Sequence, residues 1–144
     1  MGNLSENFDS SEFLCKCGRC PHSSRIDVHP DLVFKLQQMR DQEGVPLRIT
    51  SGARCLYHNQ KIPGSVGASS WHVPRSGVLH ACDITFQDDS MRGCRDIIRL
   101  YVRASQQRFS GLGLYHGRIH VDVRPGNLGR WTDASWSWSN FGSG

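Results

Sequence analysis

Two short stretches concentrate the side chains that can do chemistry. "SSWHVPRSGVLHACDITF" (Ser69–Phe86) carries His72, His80 and Asp83, and "YHGRIHVDVR" (Tyr115–Arg124) carries His116, His120 and Asp122. Side chains along a strand alternate between its two faces. His116, Arg118, His120, Asp122 and Arg124 are therefore expected on one face of an extended segment, with Ile119, Val121 and Val123 on the other. The apolar set belongs to the core, so the ionisable set lines the opposite surface. An unbroken ionisable series with no Ser, Thr or Gln exceeds what a merely solvated face requires. In "HACDITF" the same rule separates Ala81, Asp83 and Thr85 from His80, Cys82, Ile84 and Phe86. His72 lies on the loop that leads into this strand.

Taken singly, each histidine reads as a surface or satisfied core residue. Together, His72, Asp83 and His120 supply two imidazole nitrogens and one carboxylate oxygen from separate segments. Three protein ligands with a fourth position open is the arrangement of a catalytic zinc. Such an ion brings the pKa of its water to about 7, so that a nucleophile exists at neutral pH.

A second group of soft ligands opens the chain. "CKCGRCPH" places Cys15, Cys17, Cys20 and His22 within eight residues, and Cys55, Cys82 and Cys94 complete the six cysteines. Three thiolates and His22 suit a structural zinc. A turn with packed thiols is the competing reading, and under oxidation Cys17 or Cys20 is a partner for Cys55. Cys82, inside a strand, is expected to be a small buried hydrophobe. The N-terminus has no basic segment followed by an apolar one, which argues against an export signal and for reduced thiols or metal ligands.

The elements that must position these groups follow from periodicity. The chain has 144 residues, 38% hydrophobic and 21% charged, which suits one folded domain spanning 1–144, with 1–10 and 132–144 peripheral. No apolar run approaches the roughly 18 residues of a membrane span. The net charge of +4 comes from scattered basic residues, so nucleic acid is not an expected partner, and a monomer is expected. "HPDLVFKLQQMRDQEG" predicts a helix with Leu32, Leu36 and Met39 on one stripe and Gly44 at its end. "VPLRITSG" predicts a strand with Leu47 and Ile49 on one face. "ARCLYHNQKI" predicts a short helix. "DDSMRGCRDIIRLYVRASQQRFSG" predicts a longer one, capped by Ser90, with Cys94, Ile97, Ile98, Tyr101 and Ala104 on its inner face. "GLGLYHGRIHVDV" adds one or two strands. Trp131 is expected over the core, and Trp136 and Trp138 either stack on sugars or form a loose tail.

In order, "EFLCKCG", "LRITSGARCLYHN" with its Ser-Gly-x-Arg segment, "GASSWH" with Ser-x-His, "ACDITF" with Ala-x-Asp, and "GLGLYHGRIHVDVR" with Gly-x-Gly-x-Tyr and His-Val-Asp resemble the zinc peptidases of the D-alanyl-D-alanine carboxypeptidase type. The likeness is greatest to small phage and bacterial members related to the hedgehog-like DD-peptidases, and it runs from about Ser11 to Trp131. It implies an α+β fold, a small antiparallel sheet flanked by helices, and the zinc ligands His72, Asp83 and His120, the trio that patterning also reaches. It places Arg54 where a substrate carboxylate or carbonyl is anchored. Ser70 orients His72 or the substrate, and Tyr115 and His116 stand among the substrate-binding residues.

Two departures stand out. Residues 73–82 separate His72 from Asp83, a longer spacing than in the family, so "VPRSGVL" reads as an insertion. Either the loop bulges and His72 remains the ligand, or His80 replaces it from the face opposite Asp83. The acidic residue that many relatives carry three positions before the last histidine is Gly117 here. Asp122 then becomes the candidate general base, or else only orients His120 or pairs with Arg124.

The implied activity is zinc-dependent hydrolysis of an amide in a peptidoglycan stem peptide, by a D-Ala-D-Ala carboxypeptidase or a cell-wall endopeptidase. Without a leader, the protein reads as a lysis or virion-borne enzyme made in the cytoplasm, or as a periplasmic one whose leader has been removed. The rival is a non-catalytic zinc-containing binding module of the same fold.

Overall fold

The protein is described by a computed structural model over residues 2–62 and 67–133. Its frame is a mixed sheet of β2 (Leu47–Ser51), β4 (Ala81–Phe86), β6 (Arg118–Asp122), β5 (Gly111–Tyr115) and β7 (Gly129–Thr132), in that order. All neighbours run antiparallel except β5 and β7, which are parallel. A two-residue parallel pair, β1 (Asp27–Val28) with β3 (Val78–Leu79), stands apart. The helices are α1 (Pro30–Glu43), α2 (Leu56–Gln60) and α3 (Cys94–Gln106). The expected α+β class and antiparallel core hold, and β7, too short for its alternation to stand out in the sequence, is an added strand.

Alternation builds the two faces. Leu47, Ile49, Cys82, Ile84, Phe86, Leu112, Leu114, Ile119 and Val121 are buried on one side, where they join Leu32, Leu36 and Met39 of α1 and Ile97, Leu100 and Ala104 of α3. At about 25 cal/mol per Å² of apolar surface, each of the Leu, Ile, Val, Phe and Met side chains contributes roughly 1.5–3 kcal/mol. The other face carries Asp83, His120 and Asp122. Strand register aligns them: Asp83 pairs with His120, His120 with Gly113, and Gly113 with Trp131.

Several local expectations are corrected. Ser90 does not cap the long helix. It lies in a 3₁₀ turn (Asp89–Met91) capped by the Asp88 side chain, and extended Gly93 separates that turn from α3. The first ten residues are not all peripheral, because Phe8 is buried in the core. His116 is not on a strand face: the chain reverses at His116–Gly117, with Gly117 at φ 77°, so the alternation begins only at Arg118. Trp131 lies in the cleft wall rather than over the core. Trp136 and Trp138 fall outside the described residues. Among those described, no helix is long and apolar enough to cross a membrane.

The lengthened loop before Asp83 has a simple form. Arg75 and Val78 exchange both backbone hydrogen bonds, at 2.9 and 3.0 Å. The two residues between them, Ser76 (φ 52°) and Gly77 (φ 77°), are left-handed, as in a type I′ turn. The extra residues thus close on themselves as a small hairpin, and His72 keeps its place.

Candidate metal centre and cleft

His72 Nε2, Asp83 Oδ1 and His120 Nδ1 form a nearly equilateral triangle, with sides of 3.1, 3.2 and 3.2 Å. Asp83 and His120 are delivered by the β4–β6 register. His72 is fixed from outside the sheet: its backbone carbonyl accepts from Arg54 N–H at 2.8 Å, and its own N–H donates to Ser70 Oγ at 3.3 Å. Ser70 therefore orients His72 through the main chain.

The far side of each imidazole decides which nitrogen faces the triangle. His72 Nδ1–H donates to the Gly52 carbonyl at 2.8 Å, leaving Nε2 free as a donor to metal. His120 Nε2–H donates to Asp122 Oδ2 at 2.6 Å, leaving Nδ1 free. Such outer partners fix tautomer and orientation in metal sites. Two nitrogen lone pairs and a carboxylate oxygen directed at one point repel each other unless a cation lies between them. A tetrahedral zinc with ligands at about 2.0–2.1 Å requires donors about 3.3–3.4 Å apart. The three residues fit that ion in donor type and in spacing.

Asp122 is the carboxylate behind the site, not within it. It is fully buried, outside the cleft lining, and bonded by His120 and by Arg124 Nε (2.8 Å) and Nη2 (2.5 Å). Of its three expected roles the geometry favours orientation of His120 together with pairing to Arg124. Burial works to raise its pKa, but the hydrogen bonds from Arg124 and His120 outweigh burial and hold the carboxyl well below the usual range. Asp83 behaves likewise: burial is overcome by His72 and His120. Burial lowers the His72 pKa against the pull of Asp83. For His120 burial loses to the hydrogen bonds with Asp122 and Asp83, so its pKa is raised.

Two glycines make room for this layer. A Cβ on Gly111 would overlap the Asp122 carboxylate, and one on Gly113 would lie 2.6 Å from Trp131 Cε2. Trp131 consequently approaches His120, with ring centroids 5.0 Å apart, and donates from Nε1 to the Tyr115 hydroxyl at 2.7 Å. The Gly-x-Gly-x-Tyr pattern is the backbone of this contact.

The triangle opens into a cleft of about 550 Å³ lined by Arg54, Ser70, Trp71, Tyr115, Arg118, Arg124, Trp131 and Asp133 among others. Arg54 is nearly buried. Its guanidinium donates to Ser51 Oγ (3.0 Å), Asn59 Oδ1 (3.2 Å) and Asp83 Oδ2 (3.4 Å). Burial lowers its pKa, and Asp83 opposes that shift. Arg118 approaches the same oxygen at 3.6 Å. Asp83 thus turns one oxygen to the metal corner and the other to two guanidinium groups.

Of the expected residues, the structure gathers His72, Asp83, His120, Arg54, Ser70 and Tyr115 at the cleft, with Asp122 directly behind. His116 is exposed in the hairpin turn and outside the lining. His80 is turned away: its Nδ1 contacts the Val78 carbonyl at 3.1 Å and its ring packs against His29 and Trp71. Trp71, Arg118, Arg124 and Asp133 were not singled out as binding residues from sequence. The alternation that put Arg118 and Arg124 beside His120 was the available signal for those two, whereas Trp71 and Asp133 have none.

The thiol cluster differs from expectation in one ligand. Cys15, Cys17, Cys20 and Cys55 offer sulfurs all within 4.8 Å of one another, and His22 is not among them. The turn at Pro21–Ser23 carries His22 past the group, while α2 brings Cys55 in. All six cysteines are free, and Cys82 is buried as expected.

A family model described as Peptidase M15 matches residues 6–122, from before the first cysteines through the last strand of the metal corner. Among curated proteins none matches the chain.

Proposed function

Because the chain belongs to the peptidase M15 family, zinc peptidases of the D-alanyl-D-alanine carboxypeptidase type, we propose that it hydrolyses an amide bond in the stem peptide of peptidoglycan. The observation that carries this reading is the three-donor triangle at the floor of a cleft walled by Arg54, Arg118 and Arg124. When bound, zinc supplies a Lewis acid that polarises the scissile carbonyl and acidifies a water.

The protein's own groups divide the remaining work. Arg54 spends three of its five N–H groups on Ser51, Asn59 and Asp83, which leaves the others for a substrate carboxylate or for the developing oxyanion. A terminal carboxylate of a short anionic peptide suits this guanidinium-rich wall, since Arg binds carboxylates in a fixed planar geometry. Trp71, Trp131 and Tyr115 give flat apolar walls for the peptide stem. Besides Asp83, Asp133 is a carboxylate in the cleft lining, and in this reading it is the candidate for proton acceptor and donor.

Purified protein is incubated with peptidoglycan and with short peptides ending in D-Ala-D-Ala, with and without chelator, and released amines are measured. Chelator-sensitive release, restored by zinc and lost in Asp83→Ala, is the expected result. Metal-loaded protein that retains peptidoglycan without releasing amines at any pH would overturn hydrolysis in favour of a binding module. Release from internal links but not from the terminal dipeptide would identify an endopeptidase.

A further inference from the structure

On the opposite side of the Arg54–Cys55 peptide from the catalytic corner, two turns converge on one point. Cys15 N–H donates to the His22 carbonyl at 2.8 Å, which closes the first loop. Gly18 within it is left-handed (φ 72°), and the reversed chain brings Cys17 and Cys20 together. Cys55 is the N-cap of α2. Cys55 Sγ lies 3.8 Å from Cys17 Sγ. That is far longer than a disulfide bond, about 2.05 Å, and it matches the edge of a tetrahedron with metal–sulfur bonds of about 2.3 Å.

Backbone amides point at the sulfurs. Arg19 N–H donates to Cys17, Cys55 N–H to Cys15 and His58 N–H to Cys55, each at 3.4 Å. The Ser23 hydroxyl lies 3.4 Å from Cys17 and 3.5 Å from Cys20, and His58 Nδ1 lies 3.4 Å from Cys15. Thiolates that hold a metal are steadied by such surrounding donors. A Cys-x-x-Cys turn with an amide directed back at its first sulfur, joined by two further thiols, is a closed four-sulfur arrangement that leaves no position open for substrate. We propose that Cys15, Cys17, Cys20 and Cys55 bind a structural zinc ion, separate from the catalytic metal and closed to substrate.

Its position gives it a task. Ala53 N–H donates to the Phe13 carbonyl and Arg54 N–H to the His72 carbonyl, both at 2.8 Å. A metal on Cys15 and Cys55 ties the Phe13 and Arg54 segments together at their far ends. The ion therefore anchors the main chain that carries Arg54, and the site stands independently of the cleft's substrate.

The test uses the full chain with His72 and His120 both replaced by Ala, which removes the catalytic corner. After purification under reductant and loading with cobalt(II), this variant is expected to bind a single equivalent, with a sulfur-to-cobalt charge-transfer band and intense tetrahedral ligand-field bands. Adding Cys17→Ser should abolish or shift those bands. Unsubstituted protein gives a check that needs no variant to fold. After a chelator has stripped the corner, a thiol-specific mercurial should release a further equivalent of zinc. Cobalt binding without charge transfer, no retained metal in either experiment, or a Cys17–Cys55 disulfide in protein isolated under reductant would each overturn the proposal.

Discussion

Asp83 and His120 reach the candidate metal corner on adjacent strands, whereas the four cysteines gather on turns and at a helix start. In the corner, backbone pairing does the positioning: Asp83 opposite His120 and His120 opposite Gly113 are consequences of sheet register, and a slip of one residue would turn every donor to the wrong face. The donors are held from their far sides as well, because Gly52, Ser70 and Asp122 bond the histidines from behind. The thiol group is held by local contacts instead of register. Its loop from Cys15 to Cys20 has no strand, and its sulfurs meet each other, three amides, Ser23 and His58. A preformed site loses little order when metal leaves, and a loop-built site loses much.

Three substitutions test this contrast, in descending order of effect. Gly111→Ala inserts a methyl into the buried Asp122 carboxylate, which Arg124 and His120 hold in place. It should destabilise the chain by about 3 kcal/mol, the upper part of the overpacking range, seen as a lower denaturation midpoint in urea. A shift under about 0.5 kcal/mol, the size of an ordinary surface change, would show that the glycine layer is not required. Asp122→Asn keeps the shape but weakens the partner of His120. Metal affinity at the corner should fall by about 10–100-fold, as when outer partners are removed elsewhere, while metal at the thiol group is unchanged. Competition with a chromogenic chelator reads both, and equal weakening at the two sites would break the contrast. His116→Ala removes an exposed turn residue outside the cleft. Stability should stay within about 0.5 kcal/mol with peptide cleavage unaltered, and a marked loss of kcat/KM would return His116 to the binding surface.

The same contrast explains what the sequence made legible. Asp83 and His120 were readable because strand periodicity sorts side chains by face, and the β4 and β6 segments keep that period; His72, on a loop, was reached only as the further donor the pair needs and by its Ser-x-His motif. Leu32, Leu36 and Met39 were readable for the analogous reason in α1. The alternation failed at His116, where Gly117 turns the chain, and the Ser90 cap failed where Gly93 interrupts the helical path. Asp122 could not be assigned from spacing, because a carboxylate two residues along a strand from a ligand is equally placed to act as base or as anchor. Cys55 was foreseen only as an oxidation partner of Cys17 or Cys20, not as the fourth member in place of His22, since the partner of a loop cluster is chosen by how distant turns pack. The parallel pairing of β7, and with it the approach of Trp131 to His120, was not legible, because the alternation of four residues names no neighbouring strand.

The Ser76–Gly77 reversal has a practical corollary. Its ends are stitched together by the Arg75–Val78 exchange, and the Arg75 side chain pins its base to the Ser69 and Ser70 carbonyls and the Trp71 ring. That tip is a natural splice point: a reporter peptide or a foreign epitope grafted between Ser76 and Gly77 would ride outside the enzyme, with His72 and Asp83 still clamped by their own neighbours.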